Sequence, residues 1–362
     1  MKIVFLYAGG RSQRMEALQT KRAPTEFFYG AIELAQLGHT IDFLEIPTAS
    51  PIWAGICNAL FKKILPARTS GDDVVGVGQL LQRLRGMDCI VATTTSIALS
   101  LAIWKKMGCM RSPMIGIHCG ILNYPPRGVK RWVTRALLRG KPMILFARPE
   151  AEAAQKFFGL SDIFAVPFGV DTNFWCPADF EGNHILSIGS DSRRDYGTLI
   201  EAARQCPLPI KILTSCPLPD DPPLNISVLR GSWKNPVVDD IELLHLYRKS
   251  RFVVIPLHDS IQPSGQSAAL QAMACGRPVI ITHTSGLWTD KNFKNNQEII
   301  LVPEKNPTVL AREMMRLWND PIQCAKMGTL ARQAVLRVGT IQSFSNGILK
   351  CCRREIDKQM PS

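Results

Sequence analysis

Short apolar runs and amphipathic stretches alternate along this chain. The runs at 3–7, 40–44, 89–92 and 114–117 predict buried strands, and residues 24–37 predict a helix that ends before the turn Gly38-His39. The second half repeats the rhythm. Strands are expected at 184–188, 210–214, 252–256 and 278–282, and helices at 196–203, at 266–275 and from Pro307 onward. Strand, helix, strand in this order indicates parallel sheets with crossover helices, an α/β fold. Residues 166–177 have turn formers and aromatics without a regular period, so the domain boundary is placed there. The expected units are 1–168, 182–338, and a C-terminal helix at 339–362 crossing back to the first domain. In doubly wound sheets ligands sit at the carboxyl ends of strands, so a cleft between the two domains is the expected site.

With 362 residues, a prior of roughly 150 per domain agrees with two domains. A composition 46% hydrophobic and 20% charged excludes collagen-like and wholly disordered chains. The 11 cysteines are scattered, without zinc-ribbon spacing, and their odd number argues against a secreted disulfide framework. A reducing, cytoplasmic compartment is the expectation. The apolar start runs directly into Gly9-Gly10 and Arg11, which reads as a first strand and not a signal peptide. The apolar-leaning window 89–104 is interrupted by Thr93, Thr94, Thr95, Ser96 and Ser100, and no transmembrane segment is expected.

Charge changes the picture. The formal net charge is +13, and +10 of it falls in residues 1–170. That asymmetry implies an anionic partner for the first half. No stacking aromatics interleave with the basic residues in the manner of an RNA module, so nucleic acid is not the expected partner. The segment 127–141 carries six basic residues and no acidic one. At helical spacing Arg131, Arg135 and Arg139 form one stripe, while Val129, Trp132, Val133, Ala136 and Leu137 form another. With Lys130, this predicts an amphipathic helix for an anionic membrane surface, against the plainer reading of a core-packed helix with a solvated basic face. Trp53 through Phe61, Lys62, Lys63 and Arg68 form a weaker patch of the same kind.

Candidate chemistry concentrates at 256–280. A strand end leads into the small-residue loop Pro263-Ser264-Gly265, then a helix from Gln266-Ser267 that stops at Gly276. Free backbone N–H groups at such a helix start suit a phosphate or diphosphate. The run Gln271-Ala272-Met273-Ala274-Cys275-Gly276-Arg277-Pro278-Val279 resembles the signature of the family 4 (group 1) retaining glycosyltransferases. Their pattern is Glu, seven residues, Glu, then Ala-Met-Ala-x-Gly-x-Pro-Val. Gly38-His39, Pro167 to Thr172, Ser187-Ile188-Gly189 with Arg194, and Thr198 to Ala202 resemble other landmarks of that family in the same order.

The resemblance implies a GT-B fold of two doubly wound Rossmann-like domains. It also implies transfer of a sugar from a nucleotide-sugar donor to a glycan or lipid-linked acceptor, with retention. His118 and Arg194 are the implied catalytic candidates. Arg193, Ser264, Gly265, Gln266, Ser267 and Gln271 are the donor-binding candidates, and Gly9-Gly10 would let backbone approach the acceptor or diphosphate. No metal and no cofactor beyond the nucleotide-sugar substrate are expected, because guanidinium groups and helix N-termini can meet the leaving charge. Two departures stand out: Gln271 occupies the place of the family's second glutamate, and Pro263 that of the first. They keep a catalytically silent binding or scaffold homologue in view, alongside a nucleotide-sugar epimerase. The expected location is cytoplasmic, peripheral on the inner membrane face.

Overall fold

The structure is a computed structural model that describes residues 1–61, 69–179, 182–231, 237–288 and 292–358. Lys62, Lys63 and Arg68, named above with the weaker basic patch, lie outside the described residues, as does the end of the expected C-terminal helix at 359–362. The chain divides into two compact units. Unit 1 holds residues 1–19, 27–167 and 342–362; unit 2 holds residues 20–26 and 168–341. The assignment of residues 20–26 to unit 2 has no counterpart in the sequence reading.

Unit 1 runs β1 (Lys2–Tyr7), α1 (Arg11–Gln19), the second half of a 3-10 turn (Thr25–Phe28) whose first two residues belong to unit 2, α2 (Ala31–Gln36), β2 (Thr40–Glu45), α3 (Pro51–Phe61) and α4 (Gly71–Leu84). It continues β3 (Cys89–Ala92), α5 (Thr95–Lys106), β4 (Met114–Ile117), α6 (Gly128–Leu138), β5 (Met143–Leu145), α7 (Arg148–Phe158) and β6 (Ile163–Ala165). Its parallel sheet has the order β2-β1-β3-β4-β5-β6. β3 and β4 are buried at every position, as central parallel strands covered on both faces must be. The apolar window 89–104 divides into β3 and α5. Thr94 is the cap that starts the helix, its hydroxyl accepting from Ile97 N, and Ser100 donates back to Ser96 O. The helix expected at 24–37 breaks in the middle: Tyr29 and Gly30 take positive φ, 52° and 84°, which no α-helix sustains.

Unit 2 runs β7 (His184–Ile188), α8 (Tyr196–Gln205), β8 (Ile210–Thr214), β9 (Ile226–Arg230), α9 (Asp240–Lys249), β10 (Ser250–Ile255) and α10 (Gln266–Ala274). Then come β11 (Val279–Thr282), β12 (Ile300–Val302), α11 (Pro307–Asn319), α12 (Pro321–Val338) and α13 (Ile341–Asp357), the last lying in unit 1 after its first residue. The sheet order is β12-β11-β10-β7-β8-β9, again parallel. Its helices start on side-chain caps: Asp195 for α8, an Asp239–Glu242 capping box for α9, and Asn306 and Asp320 for α11 and α12. Ile185, Ile210, Phe252, Ile280 and Leu317 lie in one buried cluster with Met327. Among the described residues no helix is long and apolar enough to cross a membrane.

Candidate functional site

In unit 2 the loops after β7 and β10 meet. Gly189 follows β7 with φ 145°, and its carbonyl accepts from both the Tyr196 and Thr214 hydroxyls at 2.7 Å. A Cβ on Gly189 would fall 1.9 Å from Arg194 Nε, and one on Gly265 would fall 3.1 Å from Arg194 Nη1. The guanidinium therefore takes up the space beside both glycines, and neither position admits a side chain. Arg194 is buried, with its Nε and Nη1 making no hydrogen bond, and Nη1 stands 3.4 Å from Asp191 Oδ2 as an ion pair. Beside it the buried Ser264 hydroxyl also lacks a partner. Gly265 is the N-cap of α10 and offers no side chain to the helix start. Two buried sets of orphan donors thus converge at a positive helix end, an arrangement whose cost an anionic ligand would relieve.

Arg194, Ser264 and Gly265 are brought together; the other expected donor residues are placed differently. Arg193 accepts from His258 N through its carbonyl, and its charge helps hold the Asp259 carboxyl below its usual range, after the hydrogen bonds from Ser285. Asp195 is the cap of α8, bonded to Thr198 twice, and its Oδ2 stands 3.5 Å from His258 Nδ1. Gln266 is buried and Ser267 half-buried in the first turn of α10.

Gln271 lies lower on α10, with both heteroatoms of its amide engaged. Tyr247 donates to its Oε1 at 3.1 Å, and its Nε2 donates to Glu26 Oε1 at 3.1 Å. Glu26 also accepts from Trp175 Nε1 at 2.6 Å and, through Oε2, from Asp171 N at 3.0 Å. Burial pushes the Glu26 carboxyl up to about 7, against the three donors that favour its charged form. Glu26 is the residue that sequence reasoning missed. Its partners lie 145 to 245 positions away, and no local pattern marks it.

In unit 1, Gly9 and Gly10 are exposed, and a Cβ on either would meet nothing within 4 Å, so the backbone there is open to a ligand. Next to them is a cavity of about 310 Å³ lined by Tyr7, Phe28 and Phe43 with Arg11, Met15 and Glu45. Tyr7 stacks on Phe43 at 6.4 Å, with Phe28 edge-on to Phe43 at 6.0 Å. α1, which supplies Arg11 and Met15, has no buried residue of its own. His118 is wholly buried at the end of β4. Its Nδ1 is 3.1 Å from Thr95 Oγ1, while Nε2 is unpartnered and packs against Gly116, whose Cβ would be 2.6 Å away. Burial lowers its pKa to about 3, so the ring is neutral at physiological pH.

Glu150, in the first turn of α7, is fully buried, with the Gly120 N–H near its carboxyl but no full hydrogen bond to either oxygen; burial raises it to about 8, against the smaller lowering effect of that N–H. Between its ordinary value of 4.5 and about 8 the folded chain holds a proton the unfolded chain has released, so stability falls as pH rises through that window. In melts at pH 6 and pH 9, the loss on alkalinisation should shrink in Glu150→Gln relative to the parent. Equal losses would show that Glu150 does not titrate this way.

The proposed surface residues lie on α6 and just beyond it. Arg131, Trp132, Arg135 and Arg139 are exposed and Lys130 is half-buried, while Thr134, Leu137 and Leu138 face the core.

The match to a known family falls within unit 2. Residues 232–320 match the family model described as Glycosyl transferases group 1. The group 1 match takes in β10, the Ser264-Gly265 loop and α10. A stretch of 107 residues is 35% identical to a D-inositol 3-phosphate glycosyltransferase of Streptomyces bingchenggensis (strain BCW-1), covering 30% of this chain and 22% of that protein. The matched stretch thus spans about a fifth of that relative's length.

Among solved structures, sucrose-phosphate synthase from Thermosynechococcus elongatus superposes with a TM-score of 0.71 at 16% identity, over 99% of both chains. A glycosyltransferase from Rickettsia africae ESF-5 gives 0.72 at 13% identity, also over 99% of both. Anabaena HepE in complex with UDP-glucose gives 0.67 at 15% identity, over 98% of this chain and 100% of that one. At these identities the likeness shows the fold, which is GT-B.

Proposed function

We propose that this protein is a glycosyltransferase that moves a sugar from a nucleotide-sugar donor to a glycan or lipid-linked acceptor. As in the family 4 enzymes it resembles, transfer would retain anomeric configuration. The observation that carries this reading is the buried Arg194 guanidinium, set against Gly189 and Gly265 beside the unpartnered Ser264 hydroxyl at the start of α10. That group of donors fits the diphosphate of a nucleotide-sugar, and HepE, of the same fold, is solved with UDP-glucose. Arg194 would stabilise charge that grows on the leaving diphosphate, with Arg193 adding long-range field; on this reading no metal is required. The acceptor would bind in unit 1 near Gly9-Gly10, where the aromatic cavity offers ring faces flanked by Arg11 and Glu45. His118 would contribute as a neutral imidazole, reaching a substrate only by turning from Gly116. The basic, indole-bearing α6 would hold the enzyme on an anionic membrane surface, on the cytoplasmic side.

A panel of nucleoside diphosphates and nucleotide-sugars in thermal melts tests the donor assignment. A true donor at 100 times its dissociation constant should add about 2.7 kcal/mol of stability. No shift with any member of the panel would remove the reading. NMR of the product's anomeric proton then decides retention. A second reading, a binding subunit without turnover, is favoured by Pro263 and by the engagement of Gln271 with Tyr247 and Glu26. Donor binding with no transfer to any acceptor would select it.

A further inference from the structure

We propose that the concavity formed by α6 and the end of α7 is a pocket for the phosphomonoester headgroup of an anionic lipid. This rests on the membrane-docking reading above and gives it a defined site. The cavity measures about 300 Å³, and Arg131, Trp132, Arg135 and Lys156 line it with no carboxylate among the lining residues.

The three cations differ in what they already do. The Arg131 guanidinium lies 4.3 Å from the centre of the Phe157 ring and donates to the Phe157 carbonyl. It thereby answers the negative end of α7. Arg135 and Lys156 have no ion pair or side-chain hydrogen bond among the described residues, so their charge is uncompensated. Arg135 extends over the place where α7 stops: Gly159 takes φ 63°, and a Cβ there would sit 3.5 Å from Arg135 Nη2. A phosphomonoester carries close to two negative charges and three acceptor oxygens, which matches two free cations beside a third held in place.

The surroundings select a lipid over a soluble phosphate. Trp132 is 70% exposed and Val129 64% exposed on the same helix, beside the pocket and not in the core. α3 adds a second exposed apolar face in unit 1, with Ile52 at 73%, Trp53 at 61% and Leu60 at 65%. Exposed indoles flanked by arginines suit the interfacial zone of a bilayer, where the rings sit at headgroup level and the cations meet phosphate. The excess positive charge of residues 1–170 is complementary to that surface.

Co-sedimentation of the full chain separates the outcomes. The vesicles are phosphatidylcholine alone, or phosphatidylcholine with either phosphatidylserine or phosphatidic acid at matched surface charge. The parent should prefer phosphatidic acid to phosphatidylserine by about tenfold. Arg135→Gln with Lys156→Gln should abolish that preference. Lys130→Gln with Arg139→Gln, which removes the same charge outside the pocket, should weaken both interactions and keep the ratio. Equal binding of the two anionic lipids by the parent, or equal behaviour of the two double variants, would overturn the pocket and leave general membrane docking standing. Binding to neither anionic vesicle would overturn both. Inorganic phosphate that raises the melting temperature in an Arg135- and Lys156-dependent way, without vesicle binding, would reassign the site to a soluble ligand and overturn the lipid. Should the pocket variant fail to fold, the parent's lipid ratio alone decides.

Discussion

Replacing Arg194 with alanine should lower sugar-transfer turnover by about two to three orders of magnitude, the cost typical of removing one buried, preorganised donor from developing negative charge. Donor affinity should change by no more than about tenfold, because the charge on the leaving diphosphate is greatest in the transition state. The geometry makes this a selective lesion. Arg194 lies beside Gly189 and Gly265 without a hydrogen bond from Nε or Nη1, so its removal strands no hydrogen-bonded partner of those atoms. Asp191, its ion-pair partner at 3.4 Å, is 40% exposed in its side chain and can be solvated. Arg194→Lys should restore only part of the rate: an ammonium keeps the charge but not the planar fork that fits between two glycines. Donor-induced melting shifts would confirm that the variants fold and bind. Parent-like turnover in Arg194→Ala would remove this residue from the reaction.

How much of this could be read from the sequence depends on how local the cause is. β3, β4, β7 and β8 match their predicted runs residue for residue, because parallel strands covered on both faces are dominated by apolar residues. The Gly189-Arg194 loop is read from the family resemblance and the Ser264-Gly265 loop from its small residues at a strand end, and the structure brings the two together around Arg194. α1 was not legible: it buries nothing, so its sequence carries no period. The break at Tyr29-Gly30 inside an apolar, helix-like stretch was also hidden, because Tyr29 gives no sign that it will adopt a positive φ. Gln271 was read by its position in a motif, as a ligand contact. What its amide meets is set by Tyr247 and by a carboxylate from the other end of the chain. Contacts of that range leave no trace in spacing or periodicity.

Glu26 is where the largest stability effect is expected. Two buried side-chain donors, Trp175 Nε1 and Gln271 Nε2, and the half-buried Asp171 backbone N–H converge on its carboxylate. Glu26→Ala leaves all three without an acceptor, and at roughly 1–3 kcal/mol for each buried orphan group the two buried side chains alone should cost at least about 2 kcal/mol. The loss should fall on unit 2, since residues 20–26, Trp175, Tyr247 and Gln271 all belong to it. The pH dependence gives a sharper test. Burial raises Glu26 to about 7 from 4.5, so below pH 4.5 both folded and unfolded chains hold the proton and the group costs nothing. Between those values the unfolded chain releases its proton first, and stability falls as pH rises, levelling off above about 7. The full drop corresponds to about 3 kcal/mol at 1.4 kcal/mol per unit. Glu26→Gln removes the titrating group, so the parent-minus-variant difference in unfolding free energy should decline from pH 4.5 to pH 7 by that order and then stay flat. Taking the difference cancels Glu150, which titrates in an overlapping window in both proteins. Denaturant titrations at half-unit pH steps measure it directly. A flat difference would mean that Glu26 ionises at its ordinary value, and one that rises with pH that it ionises below it; in either case the network would be held by charge.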